Sequence, residues 1–155
     1  ENAGSLHDKL MRIGSKLVLK TVALIEKGNA ETTPQMDSDD IKTAHKLNKD
    51  NCKIDWSASL DNIYNHIRGL SPYPAAWCTL INGKDELDIK IYKAEKETVN
   101  HNNDIGTIIS DKKELKVAVT NGYIIIKEIK LPGKRTMDVK SLLNGYTFDS
   151  DAKML

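Results

Sequence analysis

Basic side chains are the residues of this sequence whose type and spacing suggest chemistry. A lysine or arginine can neutralise a backbone phosphate, and several on one surface give salt-dependent binding to a nucleic acid. The 155-residue chain carries 23 Lys and Arg against 22 Asp and Glu, so net charge alone does not indicate such binding. The local clusters are Lys42, Lys46 and Lys49; Lys112, Lys113 and Lys116; and Lys127, Lys130, Lys134 and Arg135. From spacing alone, an ordinary solvated surface is the simpler interpretation.

Patterns typical of catalysis or metal binding are scarce. The four histidines are His7, His45, His66 and His101. None has the spacing to another histidine or a cysteine that a zinc site requires, and no phosphate-binding loop or nucleophile elbow occurs. The acidic residues Asp37, Asp39 and Asp40 precede no calcium loop, so they indicate the solvated start of a helix. Cys78 falls in a predicted strand and is expected to be a small buried residue.

Aromatic rings could add base stacking to phosphate contacts if the fold exposed them. The chain has only two Trp, five Tyr and one Phe. Trp56 and Trp77 flank an apolar helix and are predicted to belong to the core. Tyr92 and Tyr123 are therefore the better candidates for exposed rings.

The elements that must position these residues begin with a long amphipathic helix. Its apolar positions, spaced four, three, four and seven residues apart, are Leu6, Leu10, Ile13, Leu17 and Leu24. Ser5 and Asp8 resemble a capping box at its start, and Lys27 and Gly28 are typical of a helix end. No neighbouring segment offers an apolar partner, so this helix of roughly 22 residues is expected to pack on something that the sequence lacks.

A polar linker is predicted over residues 29–50. Within it, a short helix from Ser38 to Leu47 would align the cluster that begins at Lys42 into one cationic stripe. A second helix is predicted between an N-cap at Ser57 and an end at Gly69. The segment 71–74 must then be extended, because each proline disfavours helical geometry in the residue before it.

Short strands dominate the rest of the chain. Alternating or apolar segments predict strands at Trp77–Ile81, Leu87–Tyr92, Thr107–Ser110, Leu115–Val119 and Tyr123–Ile129. Asn121-Gly122 is the strongest hairpin signal, and a helical turn is predicted around Leu142 before Gly145. Five short strands with tight turns favour an α+β domain, built as a small antiparallel barrel of the OB type with flanking helices.

Longer motifs resemble the methionyl-tRNA formyltransferase family. KIDWS at 53–57, IYNHIRGLSPYPAAW at 63–77, PGKRTM at 132–137 and LLNG at 142–145 resemble the C-terminal region of that family. LHDKL at 6–10 and AHKL at 44–47 resemble the last helix of its catalytic domain and its linker. The resemblance covers nearly the whole chain in the same order, although Ala75 stands where relatives often have Gly.

This resemblance implies a domain organisation. Residues 1–33 would be the terminal helix of a truncated Rossmann-like catalytic domain, 34–50 the linker and 51–155 an OB-like tRNA-binding domain. The apolar stripe of the first helix would pack on the missing domain. The family's catalytic Asn, His and Asp have no matching positions here, so no catalytic, cofactor-binding or metal-binding residue is expected in this chain.

The resemblance also implies a function. The whole enzyme would transfer a formyl group from 10-formyltetrahydrofolate to the amino group of methionyl initiator tRNA, as a cytoplasmic monomer, and this portion would position the tRNA. The residues expected to contact tRNA are Lys42, Lys46, Lys49, Lys130, Lys134 and Arg135. Arg68 is expected to be structural or interdomain, and Tyr73 with its prolines to fix a turn.

Two alternatives stay open. One is the C-terminal region of a related formyltransferase or hydrolase that acts on an amino-sugar nucleotide or on formyl-folate. The other is a stand-alone nucleic-acid-binding module, which the unpartnered first helix disfavours.

Overall fold

A computed structural model describes residues 1–36, 38 and 40–155 of the chain. The helices are α1 (Ala3–Glu26), α2 (Leu60–Leu70) and α3 (Val139–Leu143), and a 3-10 turn covers Asp50–Cys52. The strands are β1 (Ala76–Asn82), β2 (Asp85–Thr98), β3 (Ile108–Ser110), β4 (Leu115–Val119), β5 (Gly122–Lys130), β6 (Met137–Asp138) and β7 (Lys153–Met154). Asp37 and Asp39, two of the three residues in the predicted acidic helix start, lie outside the described residues.

The strands form one antiparallel sheet that curls into a small barrel. Their order is β3-β4-β5-β2-β1-β7, and β6 pairs with β5. The two ends of this order meet where Thr107 pairs with Lys153. Gly106 permits this closure, because a Cβ atom there would lie 2.3 Å from the carbonyl oxygen of Met154. The result is a nearly closed barrel with a few helices, consistent with an OB-like α+β domain.

Alternating side chains along the strands fill the barrel. The fully buried residues that face inward include Leu80, Ile89, Ile91, Leu115, Val117, Ile124 and Ile129. Helix α2 packs on β2 and β5 through one apolar face, made by Leu60, Ile63, Ile67 and Leu70. The prediction that Trp56 and Cys78 belong to the core is confirmed. Burial raises the pKa of the Cys78 thiol to about 12, so this cysteine stays protonated at neutral pH.

All five predicted strands are present. Strand β4 has the predicted ends and the other four have shifted ends, and the turn at Asn121 joins β4 to β5 as expected. Strand β2 runs beyond its predicted end at Tyr92 because an irregularity between Ile91 and Ala94 resets its pairing with β5. The short strands β6 and β7 were not predicted, since two residues carry no alternation to detect.

Two of the predicted helix starts are wrong by a few residues. Asn2 caps α1, and Ser5 serves as the third helical residue of the capping box instead of its first member. Ser59 caps α2 by accepting the backbone N–H of Asn62, at 3.2 Å. Ser57 instead donates from its backbone and its hydroxyl to the carboxylate of Asp55, which holds it in the turn before the helix.

The predicted end of α2 and the predicted linker helix also need correction. Helix α2 includes Gly69 and ends at Leu70, because Ser71 is already extended ahead of Pro72. Residues 41–47 form no helix. A helix this short is unstable unless it buries an apolar face, and both Ile41 and Leu47 are exposed.

Helix α1 ends at Glu26, so Lys27 is its C-cap, and Gly28 adopts the left-handed conformation typical of a helix end, at φ +67°. No residue of α1 is buried, and its apolar side chains include Leu19 with 73% of its surface exposed. Only its start touches the barrel domain, where the Gly4 N–H donates to the Ser71 carbonyl at 3.0 Å. Among the described helices, none has the length and apolarity needed to cross a membrane.

Candidate nucleic-acid interface

Three lysines and one tryptophan lie side by side across the outer face of the barrel. Trp77 of β1 pairs with Lys90 of β2, and Lys90 pairs with Lys130 of β5. On the other side of Trp77, Lys53 forms a bridge with it. Directly paired residues on neighbouring strands present their side chains to the same face. We call Lys53, Trp77, Lys90 and Lys130 the basic row.

The linker places a further lysine on the basic row. The indole N–H of Trp77 donates to the backbone carbonyl of Lys49, at 2.6 Å. The Lys49 Nζ atom lies 4.6 Å from the centre of the Trp77 ring, and the Lys53 Nζ atom lies 5.4 Å from it. An aromatic ring attracts a cation over its face. Trp77 therefore holds the linker against β1 and concentrates positive charge above its own ring.

One acidic side chain, Asp88, stands beside this charge. Its carboxylate accepts from Lys49 Nζ at 3.1 Å and from the hydroxyl of Thr79 at 3.2 Å. The hydrogen bond from Lys49 is the main reason that the pKa of Asp88 is lowered. Burial opposes this effect in part, and the hydrogen bond from Thr79 lowers the pKa further. Asp88 is thus an oriented carboxylate at neutral pH.

The six residues predicted to contact tRNA lie in three places in the structure. Lys49 and Lys130 both lie on the face of the basic row, with Trp77 and Lys90 between them, although they are far apart in sequence. Lys42 and Lys46 are exposed in the linker but share no helical stripe. Lys134 and Arg135 are exposed in the loop that follows Lys130, where the Lys134 N–H closes a turn onto the Leu131 carbonyl.

Sequence reasoning missed Lys53, Trp77 and Lys90 as members of this surface. The expectation for Trp77 was a core position, whereas the structure shows it half-buried, with its ring beneath two lysines. Lys90 carried a usable signal, because it alternates with the buried residues Ile89 and Ile91 and must face outward. Lys53 carried none, since its place beside Trp77 depends on a single bridge.

The two tyrosines predicted as exposed rings are both half-buried. The ring of Tyr123 stacks on His101, with centroids 4.4 Å apart, and its hydroxyl accepts from the side-chain amide of Asn103 at 2.7 Å. These contacts anchor the loop before β3 and leave little of the ring for stacking. Tyr73 is instead the most exposed tyrosine, at 86%.

Arg68, expected to be structural or interdomain, bonds to the start of the chain and to its own helix. Its guanidinium donates to the Glu1 carbonyl at 3.1 Å and to the side-chain oxygen of Asn65 at 2.8 Å. It therefore ties the start of α1 to α2. In the described residues, no group of three or more His, Cys, Asp or Glu side chains is arranged to hold a metal ion.

Comparison with known proteins agrees with the motifs. Relatives named methionyl-tRNA formyltransferase are 56% identical in Flavobacterium johnsoniae, 49% in Flavobacterium psychrophilum and 41% in Parabacteroides distasonis. These alignments cover 99%, 98% and 94% of this chain but only 49%, 48% and 47% of the relatives, so the chain spans about half their length. Residues 46–147 match the family described as formyl transferase, C-terminal domain, and the chain belongs to that family.

Proposed function

We propose that this chain is the C-terminal portion of a methionyl-tRNA formyltransferase and that its basic row binds the phosphate backbone of tRNA. The observation that carries the proposal is the convergence of Lys49, Lys53, Lys90 and Lys130 on one face of a domain whose relatives bear that name. Four cations at neighbouring positions can contact successive phosphates and supply affinity without reading bases.

The proposed role of this portion is positioning. The whole protein would transfer a formyl group from 10-formyltetrahydrofolate to the amino group of methionyl initiator tRNA. The catalytic groups would lie in the other half of the protein, because the family's catalytic residues have no counterparts in this chain. The half described here would hold the tRNA body so that its methionyl end reaches that site.

The exposed stripe of α1 supports the same division. Residues 1–33 would be the last helix of a Rossmann-like catalytic domain, residues 34–50 the linker and residues 51–155 the tRNA-binding domain. Ten large apolar side chains would be left in water if α1 had no partner, and examples are Leu10, Ile13, Leu17 and Val18. The missing half of the length of the relatives supplies such a partner, and the assembled protein would be a cytoplasmic monomer.

Binding of initiator tRNA, measured by fluorescence anisotropy across a salt series, tests the proposal. Affinity should fall steeply as salt rises. Lys90→Glu and Lys130→Glu should each weaken binding roughly tenfold and flatten the salt dependence by about one phosphate contact. Lys46→Glu and Lys134→Glu test the exposed cations that the sequence indicated.

Lys112→Glu is the matched control, because it makes the same charge change in the turn between β3 and β4, away from the basic row. Equal losses in Lys112→Glu and Lys90→Glu would show that only net charge matters. An absence of binding at low salt would contradict the proposed role of this portion.

A further inference from the structure

A pocket opens within the face that carries the basic row. Its volume is about 420 Å³, which lies in the range of roughly 300–1,000 Å³ found for small-molecule sites. The residues that line it include Trp77 of β1, Cys52 and Ile89, and Leu47 of the linker. The pocket exists because the linker crosses β1 at the Trp77–Lys49 hydrogen bond.

The interior and the rim of this pocket differ in character. The floor and walls are apolar, whereas Lys49 and Lys90 stand at the rim. A ligand that matches both must combine a flat, uncharged part with an anionic part. In a nucleic acid, a nucleotide offers both when its base has left the helical stack, and unstacked bases are the usual target of proteins that recognise RNA.

Asp88 adds a directional group to the pocket. Lys49 and Thr79 fix the orientation of its carboxylate, which can accept a hydrogen bond from an exocyclic amino group. Cytosine, adenine and guanine carry such a group and uracil does not. A pocket built only to bury an apolar protein side chain would gain nothing from an oriented carboxylate and two rim lysines.

We propose that this pocket receives one unstacked nucleotide of the bound RNA, with its base against Trp77, its amino group at Asp88 and its phosphate at Lys49 and Lys90. The proposal rests on the proposed function and adds a base preference to a surface that otherwise contacts phosphates alone. Lys49, whose side chain is 70% exposed, shifts off the ring of Trp77 toward the phosphate as the base enters and keeps its bond to Asp88 through one of its three N–H groups.

Two RNA hairpins that differ by one bulged nucleotide test the proposal on the 155-residue chain. We expect the hairpin with a bulged cytidine or adenosine to bind about tenfold more tightly than the fully paired hairpin. A bulged uridine should gain less, and an abasic bulge should gain nothing. Stacking of the base should also quench the share of the tryptophan emission that comes from Trp77, so the quenching should be absent in Trp77→Leu and with the fully paired hairpin.

Two variants locate the effect. Trp77→Leu should remove the preference for the bulge, so that the bulged and the paired hairpins bind this variant with equal affinity. Asp88→Asn should remove the discrimination between cytidine and uridine. Asp85→Asn is the matched control, because it makes the same charge change at the exposed start of the same strand and lies outside the pocket.

The outcomes separate the two proposals. Equal binding of the bulged and paired hairpins, with no quenching by either, would overturn the nucleotide pocket and leave the phosphate-binding face intact. Failure of both hairpins and of tRNA to bind at low salt would overturn both. Retention of the bulge preference in Trp77→Leu, together with unquenched Trp77 in the wild type, would also overturn the pocket.

Discussion

Helix α1 and the barrel are rich in the same types of apolar residue but bury them to opposite extents. Leu80, Ile89 and Ile126 are at most 1% exposed inside the barrel, whereas Leu10 and Leu17 on α1 are 58% and 59% exposed. Buried and outward-facing side chains alternate along the barrel strands, and the sheet curls onto itself. The same sheet therefore supplies both the apolar face and the residues that cover it. A single helix cannot do this, because its stripe faces one way and needs a second surface.

The difference teaches that the barrel is a complete folding unit and α1 is half of an interface. Each of the following predictions compares a position in the barrel with a matched position in α1. They run from the largest expected effect to the smallest.

Hydrogen exchange should show the greatest contrast. Amides in β4 and β5 open only with global unfolding, so we expect them to exchange at least about a thousandfold more slowly than amides in the middle of α1. Mass spectrometry of peptides after timed deuteration measures this. Slow exchange throughout α1 would mean that a second copy covers it, and repeating the measurement after tenfold dilution would reveal such a dimer.

Truncation of an apolar side chain should lower the free energy of unfolding strongly in the barrel and hardly at all on α1. Ile126→Ala leaves a cavity in a fully buried site and should lower the free energy of unfolding by about 2–5 kcal/mol. Leu17→Ala removes an exposed side chain and should change it by less than about 0.5 kcal/mol. Urea denaturation followed by tryptophan fluorescence checks both. Comparable losses would show that α1 is packed in solution.

A hydroxyl at the start of a packed helix should matter more than one on the surface of α1. Ser59→Ala removes the cap of α2, which packs on the barrel, and should cost about 1 kcal/mol in the free energy of unfolding. The matched change is Ser15→Ala, where the lost bond is an exposed one from the hydroxyl to the Arg12 carbonyl. Thermal melts of both variants give the comparison, and equal shifts in Tm would contradict it.

Acid should weaken the barrel through individual carboxylates. Asp111 accepts the N–H groups of Lys113 and Glu114 at 2.6 and 2.7 Å, and these bonds lower its pKa below the ordinary 3.8. The ionised form therefore stabilises the turn between β3 and β4. That contribution is complete above the ordinary pKa and is lost as the pH falls through the lowered one.

Urea midpoints measured between pH 2.5 and about 6 test this prediction. Asp111→Asn should make the decline of stability at low pH shallower, while Asp8→Asn on the exposed surface of α1 should leave it unchanged. The prediction fails if the two variants follow the same pH profile.

Local patterns were sufficient to predict most of the elements. Asn121 adopts φ 60° in the β4–β5 turn, as its hairpin motif required, and the alternation of Leu115, Val117 and Val119 marked the strand before it. The apolar spacing of α1 likewise predicted both a helix and an uncovered face. Each of these patterns involves residues close together in the chain, so it can be detected from the sequence alone.

The basic row could not be predicted in this way because it crosses the strands. Lys53, Trp77, Lys90 and Lys130 become neighbours only through the register of three strands and one bridge. Periodicity within a strand indicates which face a residue occupies but not which residue of the next strand stands beside it. The prediction of a linker helix was wrong for a related reason, because its apolar residues have no neighbouring surface to pack against.

The closure of the barrel at Gly106 bears on how the molecule folds. Its contacts join residues far apart in the chain, such as the Leu155 N–H to the Thr79 carbonyl at 2.8 Å and the Met154 N–H to the Gly106 carbonyl at 2.9 Å. Contacts of long sequence separation require a large loss of chain entropy before they gain anything, whereas the β4–β5 hairpin forms locally. We therefore expect the hairpin to assemble early. The contacts of β7 that close the barrel should form last.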